Sequence, residues 1–390
     1  MGRAEQAVNP LAAHYRRFRV AERLLLSAHS HQAWPDVALE GQLEAFEDAA
    51  LEVDAKWERA FAKADEVRAA FRGWLGDPAA ELALGANTHE LVIRLLSALD
   101  LRSRPRLVTT DGEFHTLRRQ LARLAEVGIE VVRVAASPVE SLAARLAAEV
   151  DDRTCAVFVS KVLFETSRIV YDVQALAERC AARGAELVVD AYHALGVVPF
   201  SMDGLDEAWI VGGGYKYLQF GEGNCFLRIP PHAAELRPVV TGWFAEFGAI
   251  ADARRPGEVA YAAGADRFAG ATYDPTSHYR AARVAAFFSQ QKLTATRLRE
   301  ISLRQTTRLA DRFDALDLPP SLISREQLPR EAFGGFLALR SPRAGEFCAE
   351  LEKRGVRTDS RGEYLRFGPA PYLADTQLDD AMAALGEVCR

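Results

Sequence analysis

The stretch from Leu187 to Phe226 opens with Leu-Val-Val-Asp-Ala-Tyr-His (residues 187–193). It then reaches Gly-Gly-Gly-Tyr-Lys-Tyr-Leu (residues 212–218), so that Lys216 follows Asp190 by twenty-six residues. The apolar run before Asp190 predicts a buried strand, and Trp209–Gly212 predicts the next one. In an open α/β sheet, ligands bind beyond the carboxyl ends of the strands. A carboxylate that ends one strand and a lysine just after its neighbour would therefore face the same small molecule.

Outward from this stretch the chain alternates. Asn87–Leu99, Thr116–Glu126, Ser141–Glu149 and Val173–Arg183 predict helices. Arg106–Thr109, Ile129–Val134, Cys155–Ser160 and Glu186–Asp190 predict the strands among them. Strands alternating with helices of this length imply a largely parallel sheet. Upstream, Leu43, Phe46, Ala50, Val53, Trp57 and Phe61 recur at helical spacing within one periodic stretch, Leu39–Leu75. Downstream, a helix from Tyr279 to about Gln290 leads into a smaller α+β unit, with a strand at Gly335–Leu339 and helices near Ala344–Arg354 and Thr376–Val388.

Composition narrows the class. The 390 residues carry 48 Lys+Arg against 54 Asp+Glu, with 49% hydrophobic content, which excludes a disordered or fibrous chain. The charges are mixed and the net charge of −6 gives no footprint for nucleic acid. No apolar run approaches the ~18 residues of a bilayer span. Met1–Trp34 lacks the apolar core of a leader. Cys155, Cys180, Cys225, Cys348 and Cys389 form no C-x-x-C pair, so neither a disulfide framework nor a zinc site is expected. The expectation is a reduced, cytoplasmic protein with no nucleic-acid partner, no membrane partner and no metal.

A strand-end aspartate and a lysine behind three glycines suit pyridoxal phosphate chemistry. The lysine amine forms a Schiff base with the cofactor aldehyde, and the aspartate keeps the pyridine nitrogen protonated so that the ring accepts electrons. Either residue alone reads as a capping aspartate or a surface lysine; the two together at this spacing point to the cofactor. Glycines before the lysine are expected to let the backbone turn tightly there.

Further motifs carry a resemblance. Asp190-Ala191-Tyr192-His193, Gly214-Tyr215-Lys216-Tyr217-Leu218, Thr241-Gly242-Trp243-Phe244 and Tyr364-Leu365-Arg366-Phe367-Gly368-Pro369-Ala370-Pro371 occur in that order. Together they resemble the kynureninase-like members of the class V aminotransferases, which are fold-type I pyridoxal phosphate-dependent enzymes. The resemblance spans about Leu24 to Pro371. It implies an α/β fold with a mostly parallel seven-stranded sheet between helices, and a smaller α+β C-terminal domain. The implied boundaries are an N-terminal arm at 1–40, a large cofactor-binding domain at 41–283 and a small domain at 284–390.

It also implies roles. Lys216 would carry the cofactor and move the Cα proton. Asp190 would pair with the ring nitrogen, His193 would support it or the phosphate, and Tyr215 would hydrogen-bond the phosphate. Asn87 and Thr88, at a helix start, would hold the phosphate as helix N-termini hold anions, although alone they read as a plain N-cap. Phe114 would stack on the cofactor, with Thr116 nearby. Thr272 would reach the phosphate of the partner subunit in a homodimer whose sites are shared across the interface. Arg366 would grip the substrate α-carboxylate.

Other segments depart from the kynureninase pattern. The chain has Phe114-His115-Thr116-Leu117 without the family's Asp, Leu163 where many relatives place Asn, and no substrate-contacting Asn between Ala271 and Tyr279. Ser27-Ala28-His29-Ser30-His31 also differs. His29 and His31 are candidates for substrate contact or capping. Trp243, Tyr273 and His278 would line a pocket or pack at an interface. The function implied is action on a small-molecule amino acid through an external aldimine and Cα deprotonation. Its outcome would be hydrolytic Cβ–Cγ cleavage, a related β/γ-elimination, or transfer of the amino group to a 2-oxo acid as in an aminotransferase. A silent scaffold would have lost Lys216 or Asp190. A cysteine desulfurase would need a mobile Cys, and Cys348 falls within a predicted helix.

Overall fold

The computed structural model describes residues 9–249 and 257–390, so the expected N-terminal arm begins outside the described residues. A two-residue strand, β1 (Leu24–Leu25), precedes helices α1 (Val37–Glu52) and α2 (Lys56–Leu75). The single periodic stretch expected at Leu39–Leu75 is thus two helices. Val53 turns out of the helix with φ of +43°, a conformation that disfavours a β-branched residue, and Gly76 closes α2 in the left-handed region.

Seven strands form the central sheet: β2 (Glu81–Gly85), β3 (Arg106–Thr110), β4 (Glu130–Val134), β5 (Thr154–Ser160), β6 (Glu186–Asp190), β7 (Trp209–Gly213) and β8 (Cys225–Ile229). Their spatial order is β2-β8-β7-β6-β5-β3-β4. The pairs from β7 through β6, β5 and β3 to β4 are parallel, and β8 runs antiparallel to both β7 and β2. Every residue of β5, Thr-Cys-Ala-Val-Phe-Val-Ser, is buried, as a strand covered on both faces requires. The covering helices include α3 (Thr88–Ala98), α4 (His115–Ala125), α5 (Leu142–Ala148) and α6 (Val173–Ala182). The mostly parallel sheet matches the expectation. Strand β2, Glu-Leu-Ala-Leu-Gly, was not foreseen, because it carries none of the β-branched or aromatic residues that mark a strand.

Helices α7 (Thr276–Gln290) and α8 (Ala295–Asp314) lead to a second sheet. Thr294 caps α8 by accepting from the Arg297 N–H. The boundary expected after residue 283 falls inside the unbroken α7, which packs against α1 and α2. The second sheet contains β9 (Ser324–Arg325) and β10 (Leu337–Arg340), followed by helix α9 (Ala344–Lys353) and β11 (Val356–Arg357), then β12 (Asp359–Arg361) and β13 (Tyr364–Phe367), with α10 (Asp375–Val388) closing the chain. Its order is β12-β13-β10-β9, while β11 pairs in parallel with β1. That pairing, and the bridge of Ser27 to Gly368, draw the segment after β1 onto the small sheet. No helix among the described residues is long and apolar enough to cross a membrane.

Candidate active site

The carboxyl ends of β3, β5, β6 and β7 open on one side of the sheet, and the candidate residues gather there. Lys216, three residues past the end of β7, is buried, and its Nζ lies 2.6 Å from His193 Nε2. The amine is 5.0, 5.4 and 5.8 Å from the ring centroids of Tyr192, Phe114 and Tyr215. Burial lowers the Lys216 pKa to about 7, against the opposing pull of Asp190. Asp190 ends β6, and its Oδ1 accepts from the Tyr192 N–H at 2.8 Å. Burial raises its carboxyl above the ordinary range, while that hydrogen bond and Lys216 oppose the rise. His193 is pushed well below its usual value, first by burial and then by Lys216 and Arg366. It is therefore neutral, and its Nδ1 is buried without a partner.

The three glycines before Lys216 serve packing and do not make a left-handed turn, since none has a positive φ. A Cβ at Gly213 would lie 2.5 Å from Tyr192 Oη and 2.6 Å from Cys225 Sγ; one at Gly214 would lie 2.6 Å from Phe220. They let Tyr192 close beside the lysine and Phe220 pack against Gly214, which corrects the turn expected from sequence.

A narrow cleft beside Asp190 is lined by Thr88, Phe114, Thr116, Phe158 and Val211. Thr88 starts α3. Asn87 caps that helix, accepting from the Glu90 N–H at 2.9 Å and donating to Glu90 Oε1, so its side chain is committed to the cap. Phe114 immediately follows Glu113, a residue the sequence reading did not single out. Glu113 is buried and accepts from Thr110 Oγ1, the Ser160 N–H and Ser160 Oγ at 2.6–3.0 Å. It ties the ends of β3 and β5 together directly under Phe114. Burial lifts its carboxyl to about 7, although the Ser160 and Thr110 bonds pull the other way.

Residues from the small sheet and the N-terminal segment complete the site. Arg366 on β13 is 3% exposed, and its Nε and Nη2 engage both oxygens of Asp359. Its Nη1 donates to the Phe164 carbonyl, and Phe336 lies 5.4 Å from its guanidinium. His29, fully buried, contacts Asp359 Oδ1 through Nε2 at 2.7 Å and packs on Phe336 at 4.5 Å. His31 instead stacks on Tyr215 at 4.9 Å, with 20° between the rings. The two histidines thus serve different partners. Asp359 also escaped the sequence reading. Its signal was the turn Arg361-Gly362-Glu363-Tyr364, which sets Asp359 directly opposite Arg366 in the β12–β13 register.

Thr272, Trp243 and Tyr273 do not join Lys216 within the chain. Trp243 Nε1 donates to Thr272 Oγ1, and Trp243, Tyr273, Phe244, Phe247, Trp57 and Phe61 form a continuous aromatic cluster. Thr272 and Tyr273 line a separate cavity of about 1090 Å³ that also reaches Gly85, Arg68 and Arg94. His278 packs on Tyr273 and is hydrogen-bonded to Asn224. Gly242 permits the close approach behind this cluster, since a Cβ there would lie 2.3 Å from the Gly270 carbonyl oxygen.

No family model matches the chain. It is similar to a kynureninase of Deinococcus radiodurans, 28% identical over 83% of this chain and 78% of the relative. It is also similar to the uncharacterized aminotransferase YcbU of Bacillus subtilis, 23% identical over 87% and 88% of the two chains. A kynureninase of Pseudomonas fluorescens is 27% identical over 72% of this chain and 67% of its own. Among solved structures, a lysine-to-alanine variant of C-DES with glycine covalently linked to the PLP cofactor superposes with a TM-score of 0.84 at 17% identity, covering 97% of this chain and 99% of the other. The cysteine desulfurase of Thermococcus onnurineus gives 0.79 at 15% identity, over 100% and 99%. The chain therefore has the fold-type I architecture and counts kynureninases and an aminotransferase among its homologues.

Proposed function

We propose that the protein is a pyridoxal phosphate-dependent enzyme acting on the Cα of an amino acid. The observation that carries this reading is the buried Lys216 amine, its pKa lowered to about 7, lying 2.6 Å from neutral His193 and ringed by Phe114, Tyr192 and Tyr215. The residues fit the cofactor. A neutral amine is the reactive form towards an aldehyde, Phe114 and Asp190 line the cleft, and the buried His193 Nδ1 beside Lys216 has no partner of its own.

When bound, pyridoxal phosphate supplies an aldehyde that captures amines and a ring that accepts the electron pair released at the adjacent carbon. Lys216 holds the cofactor and, once free, moves the proton at the substrate Cα. Asp190 keeps a proton on the ring nitrogen. Thr88, Tyr215 and the N-terminus of α3 take the phosphate, and Arg366 takes the substrate carboxylate. The apolar walls around Lys216 limit water and favour proton transfer between fixed groups.

The finer reading is kynureninase-like hydrolytic cleavage of a side chain bearing a γ-carbonyl, with support in the kynureninase homologues, or a related β/γ-elimination. An aminotransferase is the second reading, favoured by the similarity to YcbU. The desulfurase alternative lacks a reactive thiol among the described residues. Cys155, Cys180 and Cys225 are buried, their thiols raised by burial to about 11, 12 and 12; Cys348 is fixed within α9, and burial raises the Cys389 thiol to about 11. We also propose a homodimer joined along the aromatic cluster, where Thr272 of one copy would complete the phosphate site of the other.

The test is product analysis of the holoprotein with L-kynurenine, L-cystine, and L-alanine plus a 2-oxo acid. Release of L-alanine from L-kynurenine supports the finer reading. Amino transfer to the 2-oxo acid supports the second. Persulfide release from L-cystine supports the related elimination, and no turnover of any of them contradicts all three.

A further inference from the structure

We infer that Asp359, itself held by His29, is a positioning residue that fixes Arg366 and leaves it one free donor on each terminal nitrogen for a planar carboxylate. The inference rests on the reading of Arg366 as the carboxylate-binding group, and it adds two residues to that group that the known motifs do not contain.

Donor counting carries the argument. A guanidinium has five N–H donors. Asp359 takes Nε–H and one Nη2–H, and the Phe164 carbonyl takes one Nη1–H. Two remain, one on Nη1 and one on Nη2, and a carboxylate accepts such a pair in a bidentate fork. Asp359 also makes it possible for the cation to be buried at 3% exposure, since a guanidinium without a counter-charge is costly in that setting. The Phe336 ring limits the guanidinium from one face.

Asp359 is held in turn. Its register partner on β13 is Arg366 itself, so the two side chains project from one face of the hairpin. His29 approaches from the N-terminal segment, drawn in by the β1–β11 pair and by backbone bonds between Ala28, Leu26 and Gly368. Burial keeps His29 neutral, with its pKa lowered to about 4, so the contact is a hydrogen bond that Nε2–H donates to the carboxylate. Asp359, despite its own burial, is held well below the usual carboxylate range by His29 and Arg366 and stays ionised. Gly368 makes this packing possible, because a Cβ there would lie 2.2 Å from His29 Nδ1. The glycine of the Phe367-Gly368-Pro369 motif is thereby explained.

The experiment uses the protein loaded with pyridoxal phosphate and two probes, L-alanine and L-alaninamide, which differ in the carboxylate alone. Binding is read from the change in visible absorbance. For Asp359→Asn and His29→Asn the apparent Kd for L-alanine should rise on the order of tenfold, the weight of one hydrogen bond to a charged group. The value for L-alaninamide should stay within about twofold of wild type, as expected where no carboxylate interaction is lost. Retention of the lysine-dependent absorbance band by each variant shows that it has folded. If both variants bind the two probes as wild type does while Arg366→Ala loses the preference for L-alanine, the positioning role is overturned and the carboxylate role of Arg366 stands. If Arg366→Ala also keeps the preference, the underlying reading fails.

Discussion

Lys216 Nζ lies 2.6 Å from His193 Nε2, with both side chains buried, and it is this burial that lowers the lysine pKa and poises it for an aldehyde. With Lys216 donating, the proton of neutral His193 sits on Nδ1, and the pair carries no like-charge repulsion when the amine is neutral.

The first prediction concerns the loading of the apoprotein. The neutral fraction of Lys216 increases as pH rises through about 7, so the rate of absorbance growth on adding pyridoxal phosphate should climb between pH 6 and 8 and then level off. A lysine with an ordinary pKa would keep accelerating beyond pH 9. In Asp190→Asn the midpoint should move to lower pH, because the carboxylate that favours the charged amine is gone.

Glu113 gives a stability prediction. Its folded pKa, about 7, lies above its unfolded value, so its stabilising contribution is complete below about pH 4.5 and is lost as pH rises through 7. Glu113→Gln keeps the shape of the protonated acid without titrating. Relative to this variant, the wild type should lose about 1–3 kcal/mol between pH 5 and pH 8, measured by denaturant unfolding of the apoprotein. Parallel pH profiles would contradict the assignment.

Gly213→Ala tests the close packing under the lysine. The added methyl would meet Tyr192 Oη at 2.5 Å, and displacing that ring should cost about 1–3 kcal/mol. Cofactor retention during gel filtration should fall with it, because the ring lies 5.0 Å from Lys216 Nζ.

The aromatic cluster predicts the assembly. Trp243 is 45% exposed and Phe247 43%, beside Thr272, a contiguous apolar face of the kind that interfaces cover. Phe247→Glu should halve the mass measured by light scattering and weaken cofactor retention as Thr272 is withdrawn. A wild-type mass equal to one chain, or an unchanged mass in the variant, would contradict the shared site.

Much of this was legible in the chain. The strands around Asp190 and Lys216 are short apolar runs ended by polar or glycine residues, and burial on both faces makes such runs easy to read. The periodicity of Leu43, Phe46 and Val53 misled, because these side chains are 53%, 74% and 65% exposed and the helix breaks at Val53. A helical stripe reports an apolar face without saying what covers it. Asp359 and Glu113 were missed for another reason. Each acts through a partner brought close by sheet pairing, Arg366 across a hairpin and Ser160 across two strands, and pairing is weakly encoded in local pattern. Thr272 and Tyr273 were recognised by motif, yet they sit in a different cavity from Lys216 within one chain, a separation that linear order does not reveal.

The central claim is that Lys216 carries pyridoxal phosphate, and the most direct measurement is the visible absorbance of the purified protein after cofactor addition and gel filtration. The account predicts a visible band that persists through filtration, that is absent in Lys216→Ala, and that changes when an amino acid substrate is added. A wild-type protein that stays colourless, or a Lys216→Ala protein with the same band, would contradict it.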